Sequence, residues 1–289
     1  MQKKESHIDR NLEELLNRLP GIDVGFEKSK DEVWAGLSRF IGFSGAETSG
    51  SVVGLFSTPV WVAAAAVIIV LLGVVSFMRL YTTEVVAPYG KHVTAQLPDG
   101  SFVELNAGSE IVYQPFWWFL NREVELEGEA FFEVEKGKTF RVSSFAGTTS
   151  VLGTSFNVYA REKDYQVTCY SGKVWVEASE TGHSLEIAPH EQATLTKDGG
   201  LRLSALKNKE EVVSWRSAMF MFTATPIEKV FDDIERQYAV EIEAEGLPDY
   251  LYSGNFSRNQ PLEQVLKMVC RPYGLNYQKI SGGYRVLND

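Results

Sequence analysis

Apolar positions along this chain change their period several times, and each change marks a different kind of structure. Ile8, Leu12, Leu15, Leu16 and Leu19 recur at i, i+4, i+7, i+8 and i+11, one face of a helix. Pro20-Gly21 stops it. Ser29 followed three residues later by Glu32 is a capping box, and it opens a second helix whose apolar set is Val33, Trp34, Leu37, Phe40 and Ile41. Helices this short bury little alone, so their stripes pack on each other, lie on a membrane surface or take a partner. Membrane-surface helices carry many Lys and Arg, whereas residues 1–58 hold seven basic against nine acidic residues. Residues 42–58, rich in Gly, Ser and Thr, read as a flexible tether.

From Pro59 to Met78 the chain reads PVWVAAAAVIIVLLGVVSFM, without a charge. At ~1.5 Å per residue such a helix is ~30 Å long, the thickness of a bilayer's hydrocarbon core. Pro59 suits the first helical turn, where a backbone N–H has no partner. A buried core helix is the alternative. A cleaved signal peptide fits poorly, because 58 residues precede a run that is also too long. Flanking charge does not orient the span: only Arg39 precedes it closely, and Arg79 and Lys91 follow.

Beyond residue 85 the period becomes two. Val93, Ala95 and Leu97 alternate with polar residues, Pro98-Asp99-Gly100 makes a turn, and Val103 and Leu105 resume. Val124 and Leu126 point one way while Glu123, Glu125 and Glu127 point the other, and Ala130, Phe132 and Val134 repeat the pattern after Gly128. The glutamate row therefore reads as a solvated sheet face. Tyr165–Tyr170 and Lys173–Ala178 flank Ser171-Gly172, a hairpin signal. Short strands at this spacing, with no helix between them, predict an all-β domain, a β-sandwich or β-solenoid-like.

The last segment contains a repeat. TPIEKVFDDIERQYAVEI from Thr225 and QPLEQVLKMVCRPYGLNY from Gln260 align without gaps, sharing Pro226/Pro261, Glu228/Glu263, Val230/Val265, Arg236/Arg271 and Tyr238/Tyr273. Each unit predicts a helix with Pro at its first position and a buried stripe, Ile227-Phe231-Ile234 or Leu262-Leu266-Val269, running into a strand. Thr225 is the expected cap of the first, and Gln260 a poorer cap of the second. The expectation is an α+β domain of repeated β-α-β units.

Composition removes several function classes. A hydrophobic fraction of 44% excludes global disorder, and a net charge of −10 with no basic block argues against direct nucleic-acid binding. Cys169 and Cys270 are too few for a disulfide framework or a four-thiolate zinc site and read as free buried thiols. His7, His92, His183 and His190 show no metal-ligand spacing, and GxSxG, P-loop and GxGxxG motifs are absent. Gly153-Thr154-Ser155 reads as a turn, with no base nearby to make a nucleophile. No catalytic, cofactor-binding or metal-binding residue is assigned, no cofactor is expected, and the chain is not read as an enzyme. A carbohydrate-active domain using Glu127 and Glu129 is the remote enzymatic alternative.

The run PYGKHVTAQLPDGSFVELNAGSEIVY, then REVELEGEAFFEVEKGKTFRVSS, VLGTSFNVYA, YSGKVWVEA and IAPHEQATL closely resembles the FecR domain. That family consists of single-pass anti-sigma factors of the Gram-negative inner membrane. The terminal repeat is similar to the short N-terminal domains of secretins and TonB-dependent transporters. The resemblance implies a multidomain membrane protein. A short α-helical cytoplasmic segment with its tether, 1–58, would hold an extracytoplasmic-function sigma factor, with Leu12, Leu15, Leu16, Trp34 and Leu37 as contacts. One transmembrane helix, 59–78, would join it to an all-β periplasmic domain, 79–215, and the α+β domain, 216–289. The periplasmic part would sense the signalling domain of a TonB-dependent outer-membrane transporter. The run Ala63–Ala66 suits helix association or an intramembrane protease. The alternative is a membrane-tethered periplasmic binding or scaffold protein that holds no sigma factor.

Overall fold

In the computed structural model, which describes residues 29–40, 60–206, 209–244 and 246–288, helix α1 (Lys30–Phe40) starts at the capping box. Glu32 N donates to Ser29 Oγ at 3.3 Å, and Ser29 N donates back to Glu32 Oε2 at 3.2 Å, so two end donors are satisfied reciprocally. The first predicted helix, with Leu12, Leu15 and Leu16, lies outside the described residues, as do the tether and Pro59. The chain divides into two units, Met1–Ala63 and Ala64–Asp289.

Helix α2 (Val60–Leu80) continues two residues past the predicted end, taking in Arg79. None of its residues is buried, which speaks against the core-helix alternative: the helix is apolar on all sides, and by length and composition it is long enough to cross a bilayer.

Thirteen strands follow: β1 (Thr83–Ala87), β2 (Val93–Gln96), β3 (Phe102–Leu105), β4 (Ser109–Tyr113), β5 (Arg122–Glu133), β6 (Phe140–Ser143), β7 (Gly147–Val151), β8 (Ser155–Arg161), β9 (Asp164–Ser171), β10 (Val174–Ala178), β11 (Ser184–Ile187), β12 (Glu191–Leu195) and β13 (Leu201–Ala205). The organising strand is β5. Up to Glu127 it pairs antiparallel with β4 and parallel with β6; from Gly128 it pairs antiparallel with β3 and β8. It therefore belongs to two sheets, ordered β1-β4-β5-β6-β7-β10-β11 and β2-β3-β5-β8-β9-β12-β13.

Gly128 permits the bend between them. Its φ of +105° is closed to other residues, and a Cβ there would meet Ser109 at 2.5 Å. Arg122, at the start of β5, donates to the carbonyls of Glu135 and Lys138 just past its end, at 3.0 and 2.6 Å, and pairs with Asp99. Both ends of the strand thus lie together. Phe132 stacks on Phe156 at 5.1 Å and reaches Phe140 of the other sheet at 6.0 Å, so the two sheets enclose one core. Of the two expected architectures, this is a sandwich with a shared strand.

The predicted Pro98-Asp99-Gly100 hairpin joins β2 to β3, with Leu97 N on Ser101 O at 2.8 Å. The hairpin read at Ser171-Gly172 does not form. β9 pairs with β8 and β12, and β10 with β7 and β11, so the chain changes sheets at that turn. Period-two alternation is the same for strands that pair and for strands that cross a corner, so pattern alone cannot separate them.

After a short helix α3 (Lys209–Val212) and a 3₁₀ turn at Ser214–Ser217 come β14 (Met219–Pro226), α4 (Ile227–Tyr238), β15 (Glu241–Glu243), β16 (Leu251–Ser257), α5 (Leu262–Cys270), β17 (Asn276–Ile280) and β18 (Gly283–Leu287). The first strands of the two repeats pair, β14 with β16 antiparallel. Their second strands do not: β18 lies between them, parallel to β15 and antiparallel to β17. Ile227, Phe231, Ile234, Leu266 and Val269 are buried in a second core, while Leu262 is partly buried. The capping expectation is corrected. Pro226 and Pro261 are themselves the N-cap residues, in extended conformation, and Thr225 is a strand residue opposite Tyr252. No side chain caps α4; its first N–H goes to the Tyr250 carbonyl at 2.9 Å. A helix leaving a paired strand directly finds its acceptor in the neighbouring backbone.

Candidate functional site

Two places carry chemistry suited to protein contacts. The first is α1. Trp34 is 73% and Leu37 46% exposed, one helical turn apart, and Val33 lies beside Leu37 at i,i+4. Exposed apolar side chains spaced in this way form a narrow stripe for a partner groove. The other three candidates, Leu12, Leu15 and Leu16, lie outside the described residues.

The second is the seam between the sandwich and the α+β segment. Its centre is Glu129, 7% exposed. Asn106 Nδ2 donates to one carboxylate oxygen at 2.7 Å and Asn157 Nδ2 to the other at 3.0 Å. Burial pushes this carboxyl above its ordinary range, opposed by Arg161 and the two amides. From the α+β side, Gln237 Nε2 donates to Asn106 Oδ1 at 2.7 Å. Arg258 donates to Gln237 Oε1 and lies 2.8 Å from His92 Nε2. Burial, then the Arg258 charge, lowers the His92 pKa, so a neutral imidazole accepts from the guanidinium. Burial likewise pulls Arg258 down to about 10.

Around this centre lie further ties. Arg216 forks onto Glu104 and sits 3.9 Å over the Phe131 ring; Lys229 pairs with Asp164; Gly90 N donates to Arg236 O at 2.7 Å. The seam leaves a cleft of about 200 Å³ lined by Glu129, Asn157, Trp215 and Arg258 among others. Such a seam holds two parts in one orientation by hydrogen bonds rather than by a large apolar patch, an arrangement that can shift when a partner competes for those bonds.

The outward glutamate row is solvated at Glu125 and Glu127, but Glu129, in phase with them, is buried. Glu127 faces Glu110 across the sheet whereas Glu129 faces two amides, so the two do not form a facing carboxylate pair. A signal for this burial exists in the sequence. Phe131 shares the outward face of β5 with Glu129, and consecutive Phe131-Phe132 means that both faces are covered there. His92 lies 145 residues from Gln237 and 166 from Arg258, and no local pattern joins them. Gly153 and Thr154 form a turn with Thr154 buried. Both cysteines are free and buried, their thiols pushed up to about 11 by burial. Among the described residues no group of three or more His, Cys, Asp or Glu is placed to hold a metal ion.

Comparison with known proteins gives this arrangement a context. The family model described as FecR protein matches residues 82–175, and that described as FecR, C-terminal matches residues 219–286. No curated protein matches. Two crystal structures, at 2.50 and 1.65 Å resolution, of a candidate anti-sigma factor from Parabacteroides distasonis ATCC 8503 are similar, each with a TM-score of 0.66. They are 30% and 31% identical to this chain, covering 72% of it and 100% and 99% of their own chains. Identity at this level along the whole of a solved relative, with family models matching both the sandwich and the α+β segment, means that the chain belongs to the FecR family.

Proposed function

We propose that this protein is a membrane-anchored regulator of a sigma factor, acting by protein contacts and without chemistry of its own. The observation that carries the reading is the likeness, over the full length of the relative, to a candidate anti-sigma factor. In this reading 59–78 is a single inner-membrane span, of which 60–78 belong to α2. Residues 1–58 face the cytoplasm, where sigma factors work, and 79–215 and 216–289 form two periplasmic domains. An extracytoplasmic-function sigma factor binds the apolar stripes, with Leu12, Leu15, Leu16, Trp34 and Leu37 as contacts. The α+β domain, whose strands β15 and β17 are sheet edges, receives the signalling domain of a TonB-dependent outer-membrane transporter.

Docking outside must change affinity inside by a coupling free energy, typically ~1–3 kcal/mol, and the same energy acts in reverse when sigma binds. A shift at the Glu129 seam transmitted along α2 is one route; release of the cytoplasmic segment by an intramembrane protease near Ala63–Ala66 is the other.

The test is capture of the sigma factor by the full chain in detergent, with a Trp34→Ala, Leu37→Ala variant beside it. Burying one such side chain contributes ~1.5–3 kcal/mol, so the pair should weaken retention at least tenfold. Unchanged retention would remove these residues from the contact. No retention by the unmodified chain would leave a tethered scaffold protein in its place.

A further inference from the structure

The end of α2 is packed against the sandwich. Phe77, inside the apolar run, and Tyr81, one residue past the helix, have ring centroids 6.5 and 5.3 Å from that of Phe116. Arg79 donates to Gln114 Oε1 at 2.5 Å. The loop between β4 and β5 is thereby held to the last turn of the helix. Phe116 therefore sits level with the last turn of the apolar helix, between Phe77 and Tyr81.

The surface around this contact is apolar. Phe119 is 65% and Leu120 58% exposed, and Trp117 lies half-buried against Phe119 with centroids 6.2 Å apart. Trp118 turns inward onto Tyr113 and Phe140, so the loop is anchored by one tryptophan while its neighbours face out. Leu152, 63% exposed, stands at the same end of the sandwich. Its carbonyl accepts from Gly137 N at 2.9 Å, and Lys138 of that turn donates to Phe119 O at 3.2 Å. A single exposed leucine needs no explanation, but a cluster of large apolar side chains beside the end of an uncovered apolar helix does. Aromatic rings rimmed by basic residues, here Arg79 and Lys138, are the composition of a membrane–water interface.

We propose that residues 115–120, together with Leu152, form a foot that sits in the headgroup–acyl boundary of the bilayer crossed by α2. The occupant is lipid because the patch is continuous with the helix: whatever surrounds Phe77 also surrounds Phe116. The inference rests on reading α2 as a membrane span. A sandwich fixed to the bilayer at two places cannot swivel freely about the helix end, so a force applied to the α+β segment becomes tilt or rotation of α2. That supplies the stiffness a single flexible junction lacks.

The experiment uses the full chain in vesicles of phosphatidylethanolamine and phosphatidylglycerol. One nitroxide label at a time is attached at Leu72→Cys, Phe119→Cys, Leu152→Cys and Lys163→Cys, and accessibility to oxygen is compared with that to a water-soluble nickel chelate. Leu72 reports the span, and Lys163 lies exposed in the turn after β8, at the end of the sandwich away from the foot. The expected result is loss of nickel broadening with retained oxygen broadening at 119 and 152, both shallower than 72, and the reverse at 163. If 72 lies in lipid while 119 or 152 reads like 163, the foot is overturned and the span stands. If 72 reads as water, both fall. If 119 and 152 are shielded from both probes, protein rather than lipid covers the patch, and the proposal is wrong.

Discussion

The buried carboxylate at the seam makes a pH-dependent prediction whose sign follows from the structure. Burial raises the folded-state pKa of Glu129 above its ordinary value near 4.5. Between those two values the native chain holds a proton that the unfolded chain has lost, so Glu129 makes the protein less stable as pH rises through that window. The loss is about 1.4 kcal/mol for each pH unit separating the two titrations. Glu129→Gln has the same shape and no charge. Its carbonyl still accepts from Asn106, whose own oxygen is held by Ala107 N at 2.8 Å and by Gln237, and its amide can donate to Asn157 Oδ1 once that side chain turns over. The glutamine variant should therefore gain on the unmodified chain as pH rises above about 4.5, until Glu129 ionises in the folded chain as well. Glu129→Ala instead leaves two buried amides without an acceptor, each costing about 1–3 kcal/mol, so near pH 5 it should lose about 2–6 kcal/mol. Urea unfolding of the full chain in detergent, followed by tryptophan emission across that pH range, reads both differences. Parallel stability curves for the unmodified chain and Glu129→Gln, or an alanine variant within about 0.5 kcal/mol of the unmodified chain near pH 5, would refute the account.

Other expectations are simpler to read. Arg216→Ala removes a partly solvent-screened fork onto Glu104 and the contact over Phe131, and should cost about 1–2 kcal/mol; a double-mutant cycle with Glu104→Ala should show positive coupling, and none would mean the pair does not hold the seam. Gly283→Ala would place a Cβ 1.9 Å from the Glu241 carbonyl oxygen, so β15 and β18 must part; a loss of about 3 kcal/mol or more, with faster proteolysis beyond residue 241, is expected. Cys169 and Cys270, with pKa values pushed up to about 11, are thiolate to only about one part in a thousand at pH 8, so a thiol reagent should modify neither until urea unfolds the chain.

Much of this architecture is legible along the chain because it depends on local periodicity. The α2 span needs only a run of apolar residues, α1 only a capping box beside an apolar stripe, and the inward faces at Val124, Leu126, Ala130 and Phe132 only alternation. The repeated stripes of α4 and α5 are visible for the same reason. Tertiary structure alone decided where strands go once they leave a turn. Ser171-Gly172 has the local chemistry of a hairpin, yet β9 and β10 join different sheets, because pairing is chosen by which core each strand closes. It also decided which member of the glutamate row is buried. Glu125, Glu127 and Glu129 have the same phase, but the outward face of β5 beyond the Gly128 bend lies under the α+β segment, and only there does a carboxylate lose its water. The foot is of the same kind: Phe116 and Phe119 share the loop between β4 and β5, Leu152 follows β7, and only the fold brings that loop and Leu152 to the end of the sandwich beside α2. Periodicity records which side of an element is apolar; what covers that side is set by residues far away in the chain, where no local pattern reaches.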